Sequence, residues 1–449
     1  MSVNYVRGKY VHAAFDKETQ SWVYQNLMNR ATIRASSHEN EIVYSFLNDP
    51  NKEPDSSSEL ALKALLIDRR FLVEADVDEL GILQRAFLQN KRNPRFASLS
   101  IVTTLQCNLR CEYCYQDHVD ETLSALDESA ICRLIERLLS AQHNAHDSDR
   151  LRSFVMTWWG GEPLLRIDAI ERLSARIVPA FSEAGVLYQC YTSTNGVLLS
   201  KKNCQILKDC LLKRIQVTID GPREFHDVQR PNVGGRGTYD SVLTGLHNLI
   251  DTFRLDERFV TLRVNVTPRM VDDPKSWLAF FEDIRPASQY LALSIHPAIP
   301  NDFYASDKAI SNDEFLRALE RLKTQARDFG LFCREDVQTP IPGAPYCGAI
   351  PNQNWIVLPG GRITKCTDSF HNRSSDCGRL NVDGSMDLFE TSKDWLEYSP
   401  FDIELCRTCD VLPICMGGCR VIPFKSPNGD RCFRKTTLER SILDHAAKC

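Results

Sequence analysis

CNLRCEYCYQ, residues 107–116, holds three cysteines, separated by three residues and then by two. Cysteines at such spacing hold metal, and a metal held by cysteines ordinarily takes four of them. Half of a zinc site with a distant fourth ligand is the plain reading. The question is what else a three-thiol cradle can hold.

The rest of the chain narrows the answer. Seventeen cysteines occur in 449 residues, none of them before Cys107. The opening MSVNYVRGKYVHAAFDKETQ has no apolar h-region, and runs such as LALSIHPAI are too short to span a bilayer. The expectation is a cytoplasmic protein with no membrane partner, in which cysteines are ligands rather than disulfides. Lys+Arg number 54 against 59 Asp+Glu, a formal net charge of −5, which argues against nucleic-acid binding by charge. The length calls for two or three domains.

Outward from Cys107 the pattern is regular. ASLSIVTTL (97–105), SFVMTWWGG (153–161), YQCYTSTNG (188–196), RIQVTIDG (214–221), VTLRVNV (260–266) and LALSIHPAI (291–299) are apolar runs of strand length. Helical periodicity lies between them at 126–142, 167–184, 201–212, 238–253 and 273–285, and follows at 312–329. Strand–helix alternation predicts a parallel sheet with helices outside, an α/β partial (β/α)6 barrel over 95–332. Catalytic residues then gather at the C-terminal strand ends, where Cys107 falls.

Residues 1–94 read differently. YVHAAF, SWVYQNL and ATIRAS predict three short strands, followed by two helices, in a winged-helix-like unit. From 333 to 449 the chain is loop-rich, with recurrent Pro and Gly, and carries ten of the cysteines.

The triad with Tyr113 before its third cysteine, after the first strand of such an array, resembles the radical S-adenosylmethionine (SAM) superfamily. The resemblance implies that Cys107, Cys111 and Cys114 are catalytic and hold three irons of a [4Fe–4S] cluster. The fourth iron would chelate SAM, whose cleavage gives a 5′-deoxyadenosyl radical. WWGGEPLL supplies Gly160, Gly161 and Glu162 at the second strand end, similar to the family's GGEP motif. Ser193 and Asn195 in TSTNG, Thr218 and Asp220 in TIDG, and Arg230 in HDVQRP are expected on the cofactor's carboxylate and ribose sides. Arg263 and Asn265 on the fifth strand face either the pocket or the barrel interior.

The C-terminal cysteines form a string: Cys347-x13-Gly361-x4-Cys366, then Cys406-x2-Cys409-x5-Cys415-x3-Cys419, then Cys432. This is similar to the SPASM extension of radical SAM enzymes. By that resemblance Cys406, Cys409, Cys415 and Cys432 hold an outer auxiliary [4Fe–4S] cluster. Cys347, Cys366 and Cys419 hold an inner one, with Cys333 its candidate fourth ligand, for three clusters in all. The alternative for Cys333 is a buried small hydrophobe.

The N-terminal unit resembles the peptide-recognition element of enzymes that mature ribosomally made peptides. There a leader peptide adds a strand to the sheet edge. The expected function is therefore a radical SAM peptide maturase that installs an oxidative cross-link (C–C, C–O or thioether). A precursor peptide and a flavodoxin- or ferredoxin-type reductant would be its partners. A sulfatase maturase making formylglycine is the alternative, with Asp368 as candidate base. That group places its Asp directly after the second SPASM cysteine, whereas here Thr367 intervenes. A zinc-stabilised peptide-binding protein without catalysis is the third reading.

Overall fold

The computed structural model describes residues 3–142, 145–254, 258–333 and 341–420, with Leu438, Ile442, Leu443 and Ala446 besides. The chain forms two compact units. One comprises Met1–Asn93, Val337–Asn352 and Leu396–Cys449, the other Pro94–Asp336 and Gln353–Trp395.

In the first unit, β1 (Tyr5–Arg7) is followed by β2 (Val11–Asp16), β3 (Ser21–Asn26) and β4 (Thr32–Ala35). Strands β2, β3 and β4 form an antiparallel sheet in that order, with Ala13 opposite Tyr24 and Tyr24 opposite Ile33. Helix α1 (Ser37–Asn48) starts on a capping box between Ser36 and Glu39, and α2 (Ser57–Asp68) starts on the Ser56 cap. A short β5 (Leu72–Glu74) returns to pair with β1, and α3 (Glu79–Lys91) follows. Val11, Tyr24, Val43, Phe46, Leu66 and Phe71 form the core of this unit. Burying each of these larger apolar side chains contributes roughly 1.5–3 kcal/mol. Helix α3 carries Phe87 onto Phe401, with ring centroids 5.8 Å apart, so the Leu396–Arg420 segment packs on it.

The second unit is built on one long sheet. Strands β6 (Phe96–Val102), β7 (Ser153–Trp159), β8 (Leu187–Thr194), β9 (Leu212–Thr218), β10 (Val260–Val266) and β11 (Leu291–Pro297) lie side by side, all parallel. Helices α4 (Ala125–Ala141), α5 (Ile167–Glu183), α6 (Lys201–Asp209), α7 (Arg223–Gln229), α8 (Tyr239–Phe253) and α9 (Pro274–Ile284) fall between the strands, and α10 (Asn312–Asp328) follows β11. Alternation explains the layering. Ala97, Leu99, Ile101, Phe154, Met156 and Trp158 face the helices in one core, while Ser100, Thr157, Tyr191 and Ser193 take the other face. The six-strand expectation holds, and the sheet extends further. Strand β12 (Phe332–Cys333) adds to β11, and β13 (Asn354–Val357) pairs parallel with β6. Strands β14 (Arg362–Thr364), β15 (Gly378–Leu380) and β16 (Met386–Leu388) continue it antiparallel.

Two local readings are corrected. The helix read at 201–212 stops at Asp209, because Leu211 adopts φ 60°, a left-handed turn that ends it before β9. Part of the segment read as loop-rich is sheet, since β13–β16 are three or four residues long and show no periodicity in sequence.

Candidate active site

The cysteine loop leaves the C-terminal end of β6. Its backbone is laced to the segment after α7: Arg110 N donates to Pro231 O (2.8 Å), Glu112 N to Gln229 O (2.9 Å) and Val233 N to Asn108 O (3.1 Å). The Arg110 guanidinium caps the carbonyls of Cys107 (2.9 Å) and Leu109 (2.7 Å). Cys107, Cys111 and Cys114 lie within electrostatic range of one another. Burial pushes the thiols up, Cys107 to about 12 and Cys111 to about 11, with Cys114 raised in the same way. A bound metal would displace their protons, because thiolates are the ligands.

The Gly-Gly pair at the end of β7 is explained by close approach. A Cβ on Gly160 would lie 2.6 Å from Thr104 O, and one on Gly161 2.3 Å from Gln106 O. The two strand ends are joined there by Gly161 N to Thr104 O and Glu162 N to Gln106 O, each 2.9 Å. Glu162 is fully buried. Its Oε1 accepts from Leu164 N (3.0 Å) and Thr194 Oγ1 (2.7 Å), and its Oε2 from Asn195 N (2.7 Å). Burial pushes its pKa up, and these hydrogen bonds oppose the rise. Asn195 Nδ2 in turn donates to Asn108 Oδ1 (2.8 Å) and lies 3.8 Å from Cys107 Sγ. Three strand ends thus converge on the cysteine loop.

A second buried group faces the same loop. Tyr113 O–H donates to Asp220 and accepts from Arg230 Nη1 (2.6 Å) and Asn265 Nδ2 (3.0 Å). Asp220 Oδ1 accepts from Asn265 N (2.9 Å), and its Oδ2 lies 3.9 Å from Arg230. Burial pushes Asp220 up against the pull of Arg230. Asp220 N donates to His226 Nδ1 (3.0 Å), so the imidazole proton sits on Nε2. His226 Nε2 donates to Thr238 Oγ1 (3.1 Å), which donates to Arg230 O (2.8 Å). Burial also holds His226 well below its ordinary pKa. A neutral histidine therefore positions both Asp220 and Arg230.

Other expected residues have these surroundings. Ser193 Oγ accepts from Gln216 Nε2 on the next strand (3.0 Å), and Thr218 stands opposite Arg263 in register. Asp368 lies on the turn Thr367–Ser369, half-buried, and its carboxylate makes no hydrogen bond or ion pair among the described residues. Burial pushes Asp368 up, with His371 opposing. Tyr115 is within electrostatic range of Asp368, Cys114 and Cys366, which brings Asp368 and Cys366 to the cysteine-loop side. Cys333 lies on β12 in register with Leu293 and is buried in the hydrophobic core. Cys347 and Cys419 belong to the first unit with Cys406, Cys409 and Cys415, and Cys366 to the second. Cys432 lies outside the described residues.

Sequence reading missed Asn108, Thr194 and His226, whose partners Asn195, Glu162 and Asp220 lie on other elements. Of the two residues singled out within TSTNG, Ser193 and Asn195, Asn195 reaches the cysteine loop.

The donor sets suit iron–sulfur clusters. Among the described residues no three Cys, His, Asp or Glu side chains converge tightly enough for a single ion. A [4Fe–4S] cube instead takes each thiolate on a separate iron. Buried polar atoms without partners among the described residues lie by both candidate places: Arg230 Nε by the triad, and the hydroxyls of Tyr10 and Tyr398 by Cys406–Cys415. Such atoms await a polar group.

Comparison with known proteins agrees. Residues 101–273 match the family model of the radical SAM superfamily. The serine-type anaerobic sulfatase-maturating enzyme of Klebsiella aerogenes is 23% identical over 338 residues, covering 70% of this chain and 76% of that one. The Fe-coproporphyrin III synthase of Methanosarcina barkeri is 31% identical over 167 residues, 36% of each chain. The solved structure of anSMEcpe with bound AdoMet and Cp18Cys peptide superposes with TM-score 0.57 at 15% identity, covering 79% of this chain and 98% of that one. Streptococcus suis SuiB bound to precursor peptide SuiA gives TM-score 0.51 at 13% identity, covering 94% and 97%. The fold and the match over residues 101–273 define a radical SAM domain. The protein carrying it is an enzyme, and radical SAM enzymes use SAM and a [4Fe–4S] cluster. Among the described residues no helix is long and apolar enough to cross a membrane.

Proposed function

We propose that this enzyme matures a ribosomally made peptide by installing an oxidative cross-link. The observation that carries the reading is the convergence of the three-thiol loop, Glu162 and Asn195 at one end of the parallel sheet. When bound, SAM and its cluster supply a radical that removes a hydrogen atom from the substrate.

The chain's own residues do the rest. Cys107, Cys111 and Cys114 would hold the cluster. Glu162 would accept from the SAM ammonium, since each carboxylate oxygen has more than one lone pair. Arg230, kept in place by Tyr113 and Asp220, would bind the cofactor's carboxylate, its Nε having no partner among the described residues. Asp368, half-buried and unpartnered among the described residues, would take the substrate proton as the new bond forms. Cys406, Cys409, Cys415 and Cys432 would hold an auxiliary cluster, which would supply an acceptor for the remaining electron. A flavodoxin- or ferredoxin-type protein would supply the initial electron.

Peptide as substrate is supported by two relatives whose structures contain peptides, anSMEcpe and SuiB. Among the described residues β4 pairs only with β3, so its outer edge is open to an added strand. Likeness to the Klebsiella enzyme over 70% of the chain favours a second reading, oxidation of a serine or cysteine side chain to an aldehyde.

The test is anaerobic reaction of reconstituted enzyme with the peptide encoded beside its gene, read by mass spectrometry. A product lighter by two hydrogens and inert to a hydrazide is the cross-link. Hydrazide labelling identifies the aldehyde. No mass change refutes both.

A further inference from the structure

The segment Lys9-Tyr10-Val11-His12 opens the N-terminal sheet, yet three of its side chains are spent on the cysteine loop Cys406–Asp410 of the same unit. Lys9 Nζ donates to Arg407 O (2.8 Å), between Cys406 and Cys409. His12 Nε2 donates to Asp410 O (3.0 Å), directly after Cys409, because a carbonyl can only accept. Tyr10, between them, is fully buried. Its hydroxyl is within electrostatic range of Cys409 and has no partner among the described residues. Such a group costs about 1–3 kcal/mol unless an acceptor is supplied.

The other side of the loop repeats this arrangement. Tyr398 lies within electrostatic range of Cys406 and Cys415, and its hydroxyl is likewise buried without a partner among the described residues. Gly417 and Gly418, at φ 84° and 68°, turn the chain between Cys415 and Cys419. A Cβ on Gly417 would strike the Tyr398 hydroxyl at 1.8 Å, so glycine there lets the backbone ride over it. Two buried hydroxyl donors therefore flank one cysteine loop, from segments 388 positions apart in sequence. Sulfur atoms of a cluster are acceptors of the kind they lack.

We infer that the N-terminal domain is part of the outer auxiliary-cluster site: Tyr10 and Tyr398 donate hydrogen bonds to cluster sulfur, while Lys9 and His12 clamp the ligand loop. This rests on the reading of Cys406, Cys409 and Cys415 as cluster ligands. Hydrogen bonds to cluster sulfur, and a nearby ammonium, stabilise the reduced, more negative state and raise its potential. It also follows that deleting residues 1–90 strips Lys9, Tyr10 and His12 from the cluster site together with the proposed peptide-docking sheet.

The test is an EPR-monitored redox titration of the reconstituted holoenzyme, with iron counted per chain. The outer-cluster signal is identified as the one lost in Cys409→Ala. In Tyr10→Phe it should move to lower potential while the signal dependent on Cys107 stays in place. Lys9→Met should shift it the same way, and His12→Gln, which keeps a donor, should lie closer to wild type than His12→Ala. Outer-cluster iron lost from Tyr10→Phe with the circular dichroism spectrum intact also supports the inference. If Tyr10→Phe does not fold, the exposed Lys9→Met decides by the same criterion. Unchanged potential and line shape in the folded variant overturn it. A wild-type protein with no Cys409-dependent signal removes the auxiliary-cluster reading itself.

Discussion

Arg230 Nη1 donates to the Tyr113 hydroxyl at 2.6 Å, across 117 residues of sequence. That hydroxyl also donates to Asp220 and accepts from Asn265, so one oxygen joins the cysteine loop to the ends of β9 and β10.

Tyr113→Phe removes that oxygen and leaves Arg230 Nη1 short of an acceptor, while Asn265 Nδ2 keeps Asp220 Oδ1 (3.2 Å). The variant should fold with stability lower by about 1–3 kcal/mol, measured by denaturant titration. Its KM for SAM should rise more than its kcat for cofactor cleavage falls. A variant with wild-type KM would show that the network plays no part in placing the cofactor.

Gly161→Ala places a methyl 2.3 Å from Gln106 O, a backbone atom that cannot rotate away. The ends of β6 and β7 must then separate, at a cost of about 1–3 kcal/mol. Loss of cofactor cleavage should accompany the fall in melting temperature. A Gly161→Ala enzyme with full activity would contradict the close approach.

Replacing Cys107, Cys111 and Cys114 together by Ala should abolish cofactor cleavage and remove the iron of one [4Fe–4S] cluster. The signal dependent on Cys409 should persist. Cleavage that survives the triple change would mean the triad is not the cofactor site.

Lys91 offers a pH test in the first unit. Its Nζ is buried and donates to Tyr398 O (2.5 Å), and burial lowers its pKa from 10.5 to about 8. Between those values the unfolded chain binds the proton that the folded chain has lost, so stability rises with pH through that window. Lys91→Met should flatten this rise. Equal slopes for both proteins between pH 8 and 10.5 would refute the assignment.

Local pattern accounts for much of this architecture. The alternation of apolar runs and helical stripes predicts six parallel strands because each element buries one face at its own period. The cysteine spacing marks the ligand loops because neighbouring ligands come from a few consecutive residues. β13–β16 were illegible because strands of three or four residues carry too few alternations. Ser193 is placed at a strand end by TSTNG, but its contact with Gln216 on the next strand depends on register.

The sequence by itself determined the parallel strands β6–β11, the three-thiol loop and the strand ends where chemistry collects, all properties of short segments. Only the tertiary structure decided which side chains meet there. Asn195 reaches Asn108 across 87 residues, Asn265 reaches Tyr113 across 152, and His12 reaches Asp410 across 398. A hydrogen bond depends on a separation of about 3 Å and on direction, and no periodicity in the chain encodes either over such distances.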